Sequence, residues 1–217
     1  MRNRFEEIRT MYKTGYKTHG DSPAALLTPK GRNKLRFRAL LPLIDTPGLS
    51  VLDYGCGLGY LFDYLQREDI SVQYTGVDIV PEFIDACRQK YCDKADFQLI
   101  EAEQPLDRRF DVVFVSGVFN IPSHNNHRLS REYVTKRLKE LFSVADVALV
   151  CDFLSPYVNY TQSDSQHFDT GFIADFCAKE LPRRFVIRHD LLPYEFTMVA
   201  WRESGILRPQ NIFKVDA

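Results

Sequence analysis

Short apolar runs alternate with amphipathic segments along the chain from residue 50 to residue 201. The runs are nearly continuous in Val, Ile, Leu and Phe, as is typical of parallel strands buried on both faces. They predict seven strands, at 50–54, 72–78, 96–100, 110–116, 146–152, 184–190 and 195–201. Because helical segments separate most of these strands, we expect right-handed βαβ units and a doubly wound α/β fold.

The apolar residues between the strands have helical spacing. Leu61, Phe62 and Leu65 mark one helix, and Pro81 occupies a first helical position of the next. A third helix carries Val134, Leu138, Leu141 and Phe142, and we expect Ser130 to cap it. A fourth carries Phe172, Ile173, Phe176 and Cys177 and stops before Pro182.

The last two strands are joined by too few residues for a parallel crossover, so they should pair in antiparallel fashion. The sequence therefore predicts a seven-stranded, mostly parallel sheet with a terminal antiparallel strand. We expect residues 49–217 to form this core. Residues 1–48 should form an N-terminal helical cap, in which a helix starts at Thr28-Pro29 and presents Phe37, Leu40, Leu41 and Ile44 on one side.

Composition and charge narrow the class of protein. The chain has 217 residues, of which 45% are hydrophobic and 26% charged, with a net charge of −1, as expected of a globular protein. No apolar run approaches a membrane span, the N-terminus is too charged for a signal peptide, and five cysteines show no paired spacing. We expect a cytoplasmic protein with reduced thiols and no membrane partner.

The N-terminal region is basic, with ten Lys/Arg against three Asp/Glu in residues 1–38. This region is either a solvated face or a surface that guides an anionic substrate or nucleic acid. The near-neutral whole chain argues against a large nucleic-acid footprint.

The segment "VLDYGCGLGY" places Gly55, Gly57 and Gly59 between a buried strand and a helix. Glycine permits positive φ and close approach of a ligand, and the helix start offers free N–H groups. Dinucleotides and S-adenosylmethionine both use this arrangement.

Two neighbouring residues favour S-adenosylmethionine. Tyr60 stands where the dinucleotide fingerprint has glycine or alanine. Asp53 would repel a pyrophosphate by roughly 4 kcal/mol at about 4 Å but would attract a sulfonium ligand with an ammonium group. Asp78, 19 residues beyond Gly59, could accept hydrogen bonds from ribose hydroxyls of either cofactor or cap the helix at Pro81.

On "VLDYGCGLGY", "YTGVDI" and "FDVVFVSGVFN", the sequence resembles a class I S-adenosylmethionine-dependent methyltransferase, a transferase of Rossmann-like fold. On "HGDSPAAL", "RFRALLPLI", "SGVFN" and "PYEFTM", it is similar to small bacterial members of unassigned substrate. The resemblance implies S-adenosyl-L-methionine as cofactor.

The resemblance also implies a set of cofactor-binding residues. Those around the methionine moiety would be Asp53, Gly55, Cys56, Gly57 and Gly59, with Asp78 at the ribose and Ile79 on the adenine. Glu101 and Ala102 would lie at the adenine edge, and Ser116, Gly117 and Val118 below the methyl group.

The acceptor should bind at the carboxyl ends of the strands, where a general base is needed if the acceptor must lose a proton. The catalytic candidates are Asn120, His124, His189, Tyr194 and Glu195, and His127 and His167 are further possible bases. Asn120 could contact substrate or cap its loop. His124 and His127 lack a third ligand, so we expect no metal.

The sequence therefore predicts methyl transfer to oxygen or nitrogen of a small molecule. The Asn/Asp-Pro-Pro-Tyr signature of many nucleic-acid methyltransferases is missing, and Phe119, Tyr157, Tyr160 and Phe168 suit a partly apolar pocket. The alternatives are an RNA methyltransferase that uses the basic cap, a non-catalytic binder of the cofactor and, last, a nicotinamide-dependent oxidoreductase. The sequence does not predict an oligomeric state.

Overall fold

A computed structural model describes residues 4–28 and 31–202. Its strands are β1 (Ser50–Tyr54), β2 (Gln73–Asp78), β3 (Asp96–Leu99), β4 (Phe110–Val115), β5 (Ala145–Leu154), β6 (Phe185–Leu192) and β7 (Glu195–Trp201). They form one sheet in the order β3-β2-β1-β4-β5-β7-β6, in which β7 is antiparallel to both neighbours. The predicted α/β fold with a seven-stranded, mostly parallel sheet is confirmed.

Six α-helices accompany the sheet within the described residues: α1 (Arg4–His19), α2 (Arg32–Phe37), α3 (Tyr60–Arg67), α4 (Pro81–Tyr91), α5 (His127–Ser143) and α6 (Thr170–Glu180). Short 3-10 helices lie at Pro23–Leu26, Leu41–Leu43, Cys92–Lys94 and Val118–Asn120. Within the described ranges, no helix is long and apolar enough to cross a membrane.

The sheet is buried on both faces. Along β1, Val51 packs into a cluster with α3 and α4 on one face, and Leu52 packs into a cluster with α5 and α6 on the other. The next two strand positions, Asp53 and Tyr54, are also buried. This two-sided burial explains the nearly continuous apolar runs of the strands.

The strand order reverses direction between β1 and β4, which pair in parallel from Val51 with Val112 to Tyr54 with Val115. The connections that follow these two strands leave in opposite directions, so a crevice opens at their carboxyl ends. The functional site therefore lies at this edge.

The segment from residue 28 to residue 44 differs from the single helix that the sequence predicts for it. Within the described residues, α2 ends at Phe37 and a separate 3-10 helix includes Pro42. A proline has no backbone N–H to donate, and its ring clashes with the carbonyl four residues earlier, here Arg38. Pro29, part of the expected helix start, lies outside the described residues.

The cap of α5 also differs. Ser130 was the wrong residue, because α5 begins at His127 and Asn126 caps it. The Asn126 Oδ1 atom accepts hydrogen bonds from the backbone N–H of Arg128 at 2.9 Å and of Leu129 at 3.2 Å. Ser130 lies inside the first turn, where its hydroxyl bonds the backbone N–H and carbonyl of His124.

Replacing this cap should destabilise the fold. We expect Asn126→Ala to lower the free energy of unfolding by about 1 kcal/mol, because two helix N–H groups lose their acceptor. Urea unfolding followed by circular dichroism measures the change. The exposed neighbour Asn125→Ala is the control, and equal effects of the two substitutions would contradict the cap assignment.

Candidate functional site

A cavity of about 400 Å³ lies at the carboxyl ends of β1, β2, β4 and β5. The amino end of β7 reaches the same edge, because Glu195 pairs with Leu154 across the antiparallel ladder. Residues of α1 and α2 line the opposite wall, among them Phe5, Tyr12 and Arg36. The cavity thus lies between the sheet edge and the N-terminal helices.

The glycine loop forms part of the cavity floor. Gly55 and Gly57 have φ values of +81° and +54°, which side-chain-bearing residues rarely adopt. A Cβ atom on Gly55 would lie 2.2 Å from Val118 Cγ2, and one on Gly57 would lie 3.0 Å from Leu26 Cδ2. Gly55 and Gly57 therefore allow Val118 and Leu26 to pack directly against the backbone of the loop, which a larger residue would prevent.

Gly59 has another role. Gly59 is the N-cap of α3 at φ +73°, and a Cβ atom there would lie 2.6 Å from the ring of Tyr91. The cavity wall does not include it. The third glycine of the motif thus allows close packing of α3 on α4.

Asp78 holds the glycine loop in place. Its Oδ2 atom accepts the backbone N–H of Gly57, and its Oδ1 atom accepts that of Val80, each at 2.9 Å. Burial raises the pKa of Asp78, and these backbone hydrogen bonds partly oppose the shift. The carboxylate lines the cavity and orders both the loop and the start of α4.

Asp53 is a buried carboxyl group without a cationic partner among the described residues. Its Oδ2 atom accepts the Tyr74 hydroxyl at 2.5 Å. Burial raises the pKa of Asp53 to about 7; the bond from Tyr74 lowers it, while Asp78 and Asp152 raise it further. A cation in the cavity would therefore favour the ionised form of Asp53.

The other residues expected at the cofactor divide into two groups. One group lines the cavity and consists of Cys56, Ile79, Ala102, Ser116, Gly117 and Val118. Burial raises the pKa of the Cys56 thiol. Glu101 is not on the cavity wall: its side chain is 72% exposed and pairs with Arg9 of α1.

A buried ion pair joins α2 to β7 beside the cavity. Arg36 donates from Nε to Glu195 Oε2 at 2.6 Å and from Nη2 to Glu195 Oε1 at 2.8 Å. Arg32 Nε lies 3.2 Å from the same Oε1 atom. Glu195, expected as a possible base, thus has both oxygens engaged by guanidinium groups.

Asp152 lies next to this pair, with its Oδ2 atom 3.8 Å from Arg36 Nε. It accepts the Ser116 hydroxyl at 2.5 Å and the Gly117 N–H at 2.7 Å. Burial raises the pKa of Asp152, Arg36 lowers it and Glu195 raises it. Asp152 therefore shapes the turn that follows β4.

Of the five catalytic candidates, the structure brings Asn120 and Glu195 to the cavity wall. His124 instead has its Nδ1 atom 2.9 Å from the Ser123 hydroxyl, and His189 is exposed on β6. Tyr194, in the turn between β6 and β7, accepts a hydrogen bond from Asn159. These three side chains do not line the cavity.

The two further histidines are also absent from the described cavity wall. His127 is the first residue of α5, and the Nδ1 atom of His167 lies 2.7 Å from the Ser155 carbonyl. Among the described residues, no group of three His, Cys, Asp or Glu side chains could hold a metal ion.

The sequence placed the N-terminal cap near the site but did not identify its individual site residues. Tyr12, Leu26, Arg32 and Arg36 line the cavity. Burial raises the pKa of Tyr12 to about 12, so its hydroxyl keeps its proton at neutral pH. The signals available were the basic N-terminus and the segment "HGDSPAAL", neither of which shows which side chains turn inward.

The cavity fits S-adenosylmethionine in shape and charge. The glycine loop presents backbone without side chains to the cavity, and the buried Asp53 lacks a positive partner in the described part of the chain. Asp78 lies at the end of β2, where a ribose would reach it. The volume lies within the usual range for small-molecule sites.

Residues 51–142 match a family described as a methyltransferase domain. A protein of Mycobacterium tuberculosis designated a methyltransferase is 27% identical over 157 residues, which are 71% of this chain and 94% of that protein.

Solved structures share the fold. Magnesium protoporphyrin IX methyltransferase from Synechocystis, with bound cofactor, has a TM-score of 0.65 and 16% identity over 94% of this chain and 98% of its own. A Burkholderia thailandensis 1,6-didemethyltoxoflavin-N1-methyltransferase has a TM-score of 0.64 and 18% identity over 94% and 92%. These structures show the fold, and the match of residues 51–142 to a methyltransferase domain together with the Mycobacterium tuberculosis relative supports an S-adenosylmethionine-dependent methyltransferase.

Proposed function

We propose that this enzyme methylates a small molecule that binds beside the cofactor in the cavity. The observation that carries this proposal is the composition of the cavity wall, to which α1, α2 and the segment around Leu26 contribute together with the sheet edge. A cavity of about 400 Å³ suits a small acceptor and leaves no room for a nucleic-acid duplex.

The same residues would hold the cofactor. Asp53 and the backbone at Gly55 and Gly57 would hold the methionine end, and Asp78 would accept the ribose hydroxyls. Ile79 and Ala102 would pack at the adenine. When bound, S-adenosylmethionine supplies the methyl group: the methyl carbon bonds the acceptor, and the electron pair of the broken C–S bond stays on sulfur.

The charges on α1 support a small acceptor over RNA. Arg4 pairs with Glu7, Arg9 with Glu6 and Glu101, and Lys13 with Glu82. Pairing of these basic side chains weakens the field that would attract a phosphate backbone. The Synechocystis and Burkholderia enzymes named above act on a porphyrin and on a toxoflavin precursor.

Fractionated extracts test the proposal. We expect S-adenosylhomocysteine to form from S-adenosylmethionine with the low-molecular-weight fraction of a bacterial extract and not with its RNA fraction. Turnover that requires RNA and is lost after ribonuclease treatment would contradict the proposal and indicate an RNA methyltransferase.

The glycine loop gives a matched pair of variants. Gly55 and Gly48 have nearly equal φ values of +81° and +83°, but a Cβ atom on Gly48 meets nothing within 4 Å. Both substitutions to alanine should cost about 1–2 kcal/mol of stability from backbone strain.

Only Gly55→Ala should impair the site. We expect it to weaken S-adenosylhomocysteine binding by roughly tenfold or more in isothermal titration calorimetry, because the new methyl group displaces Val118 from the cavity wall. Equal affinities of Gly55→Ala and Gly48→Ala would contradict the assignment of the loop.

The raised pKa of Asp53 predicts a pH dependence. The ammonium group of S-adenosylhomocysteine favours ionised Asp53 and so lowers its pKa from about 7 in the free protein. Binding should therefore release close to one proton below pH 7, and affinity should fall roughly tenfold per pH unit as the pH decreases from there.

Calorimetry in buffers of different ionisation enthalpy measures the proton release. Asp53→Asn should bind more weakly and release no proton, whereas the exposed control Asp85→Asn should behave like the wild type. Proton release that persists in Asp53→Asn would assign the titration to another group.

A further inference from the structure

The side chains of Arg36 and Asn120 both lie beside Gly117, on the cavity wall next to the glycine loop. A Cβ atom on Gly117 would lie 3.3 Å from Arg36 Nη1 and 3.8 Å from Asn120 Nδ2. Gly117, Arg36 and Asn120 all line the cavity. Because Val118 packs against Gly55, this point adjoins the glycine loop.

The Arg36 guanidinium is held rigidly at this point. Its Nε and Nη2 atoms are bound to Glu195, and no hydrogen bond from Nη1 is found within residues 4–28 and 31–202. The guanidinium therefore presents one remaining N–H edge to the cavity. Its bidentate partner fixes the orientation of this edge before any ligand arrives.

The Asn120 side chain is available as well. Its donor atom Nδ2 lies beside Gly117, whereas its Oδ1 atom, which is buried and has no partner among the described residues, is an acceptor and does not bind an anion. The loop is held instead by its backbone, since the Asn120 carbonyl accepts the N–H of Gln166 at 2.8 Å. A buried polar atom without a partner costs about 1–3 kcal/mol, so the carboxamide is not explained as a loop cap.

Charged groups of both signs lie around this point. Arg32 and Arg36 share the single carboxylate of Glu195. Of the other carboxyl groups, Asp152 accepts the Ser116 hydroxyl and the Gly117 N–H, and Asp164 also lines the cavity.

We propose that Arg36 Nη1 and Asn120 Nδ2 donate hydrogen bonds to an anionic oxygen of the acceptor, a carboxylate or an ionised hydroxyl, and position it for methylation. This inference rests on the proposed function and narrows its acceptor to oxygen. An oxygen that is already ionised forms the bond to the methyl carbon without losing a proton. No base is needed, in agreement with the lack of a histidine on the described cavity wall.

Three probes with the same ring and different charge test the inference on protein saturated with S-adenosylhomocysteine: benzoate, benzamide and benzylamine. We expect benzoate to bind about tenfold or more tightly than the other two in ligand-observed NMR titrations, as a charge-assisted hydrogen bond would require. A fourth probe, 4-nitrophenolate, separates the two sources of the anion. Tighter binding than benzoate indicates an ionised hydroxyl, and weaker binding a carboxylate.

Asn120→Asp is the decisive variant, because it keeps the side-chain shape and places a carboxylate beside Arg36. It should reduce benzoate affinity by roughly tenfold or more while S-adenosylhomocysteine affinity changes little. Asn125→Asp adds the same charge on an exposed loop and should leave both affinities unchanged. Asn120→Leu, which adds no charge, should also weaken benzoate.

The inference is overturned if benzamide or benzylamine binds as tightly as benzoate, if neither anion binds, or if Asn120→Asp leaves benzoate affinity unchanged. A protein that does not bind S-adenosylhomocysteine at all would instead refute the cofactor site on which the proposed function depends. The two failures are thus distinguishable.

Discussion

The bidentate ion pair between Arg36 and Glu195 joins two parts of the chain that are 159 residues apart in sequence. It fixes α2 on the amino end of β7 beside the cavity. Both side chains are buried, so the loss of either one would leave an uncompensated charge, at a cost of about 3–5 kcal/mol. The position of α2 beside the cavity and the orientation of the Arg36 guanidinium depend on this contact.

The cavity is electrostatically divided along the sheet edge. Asp53 and Asp78 lie at the ends of β1 and β2, and the two arginines of α2 lie near β7. A cationic cofactor would be stabilised at the first end, and the anionic oxygen of the proposed acceptor would bind at the second. The switch point between β1 and β4 brings the two ends together, which is where bond formation would occur.

The sequence was sufficient to predict the strands and the glycine loop because both depend on local patterns. Continuous apolar runs follow from burial on two faces, and Gly55 needs its residue type for backbone reasons alone. The sequence predicted Ser130 as the cap, whereas Asn126 caps the helix, because periodicity locates the middle of a helix better than its first turn. The actual choice depends on backbone angles that only the folded loop fixes.

The inward-facing residues of the N-terminus were beyond local reasoning. Arg36 and Tyr12 look like members of ordinary basic and amphipathic segments, and their place in the cavity follows from contacts with distant strands. The histidines His124 and His189 were predicted as catalytic candidates for a different reason. Their chemistry made them candidates, but His189 lies on an exposed strand position and His124 bonds its neighbour.

The division of labour between segments has an evolutionary consequence. The floor that would receive the cofactor comes from β1, β2 and β4, while the opposite wall comes from residues before β1. Related enzymes could therefore diverge by exchanging or remodelling the N-terminal segment while the remainder of the gene stays under unchanged selection. In this architecture, a new substrate specificity could arise from changes in the N-terminal segment alone, while the residues that would hold the cofactor stay the same.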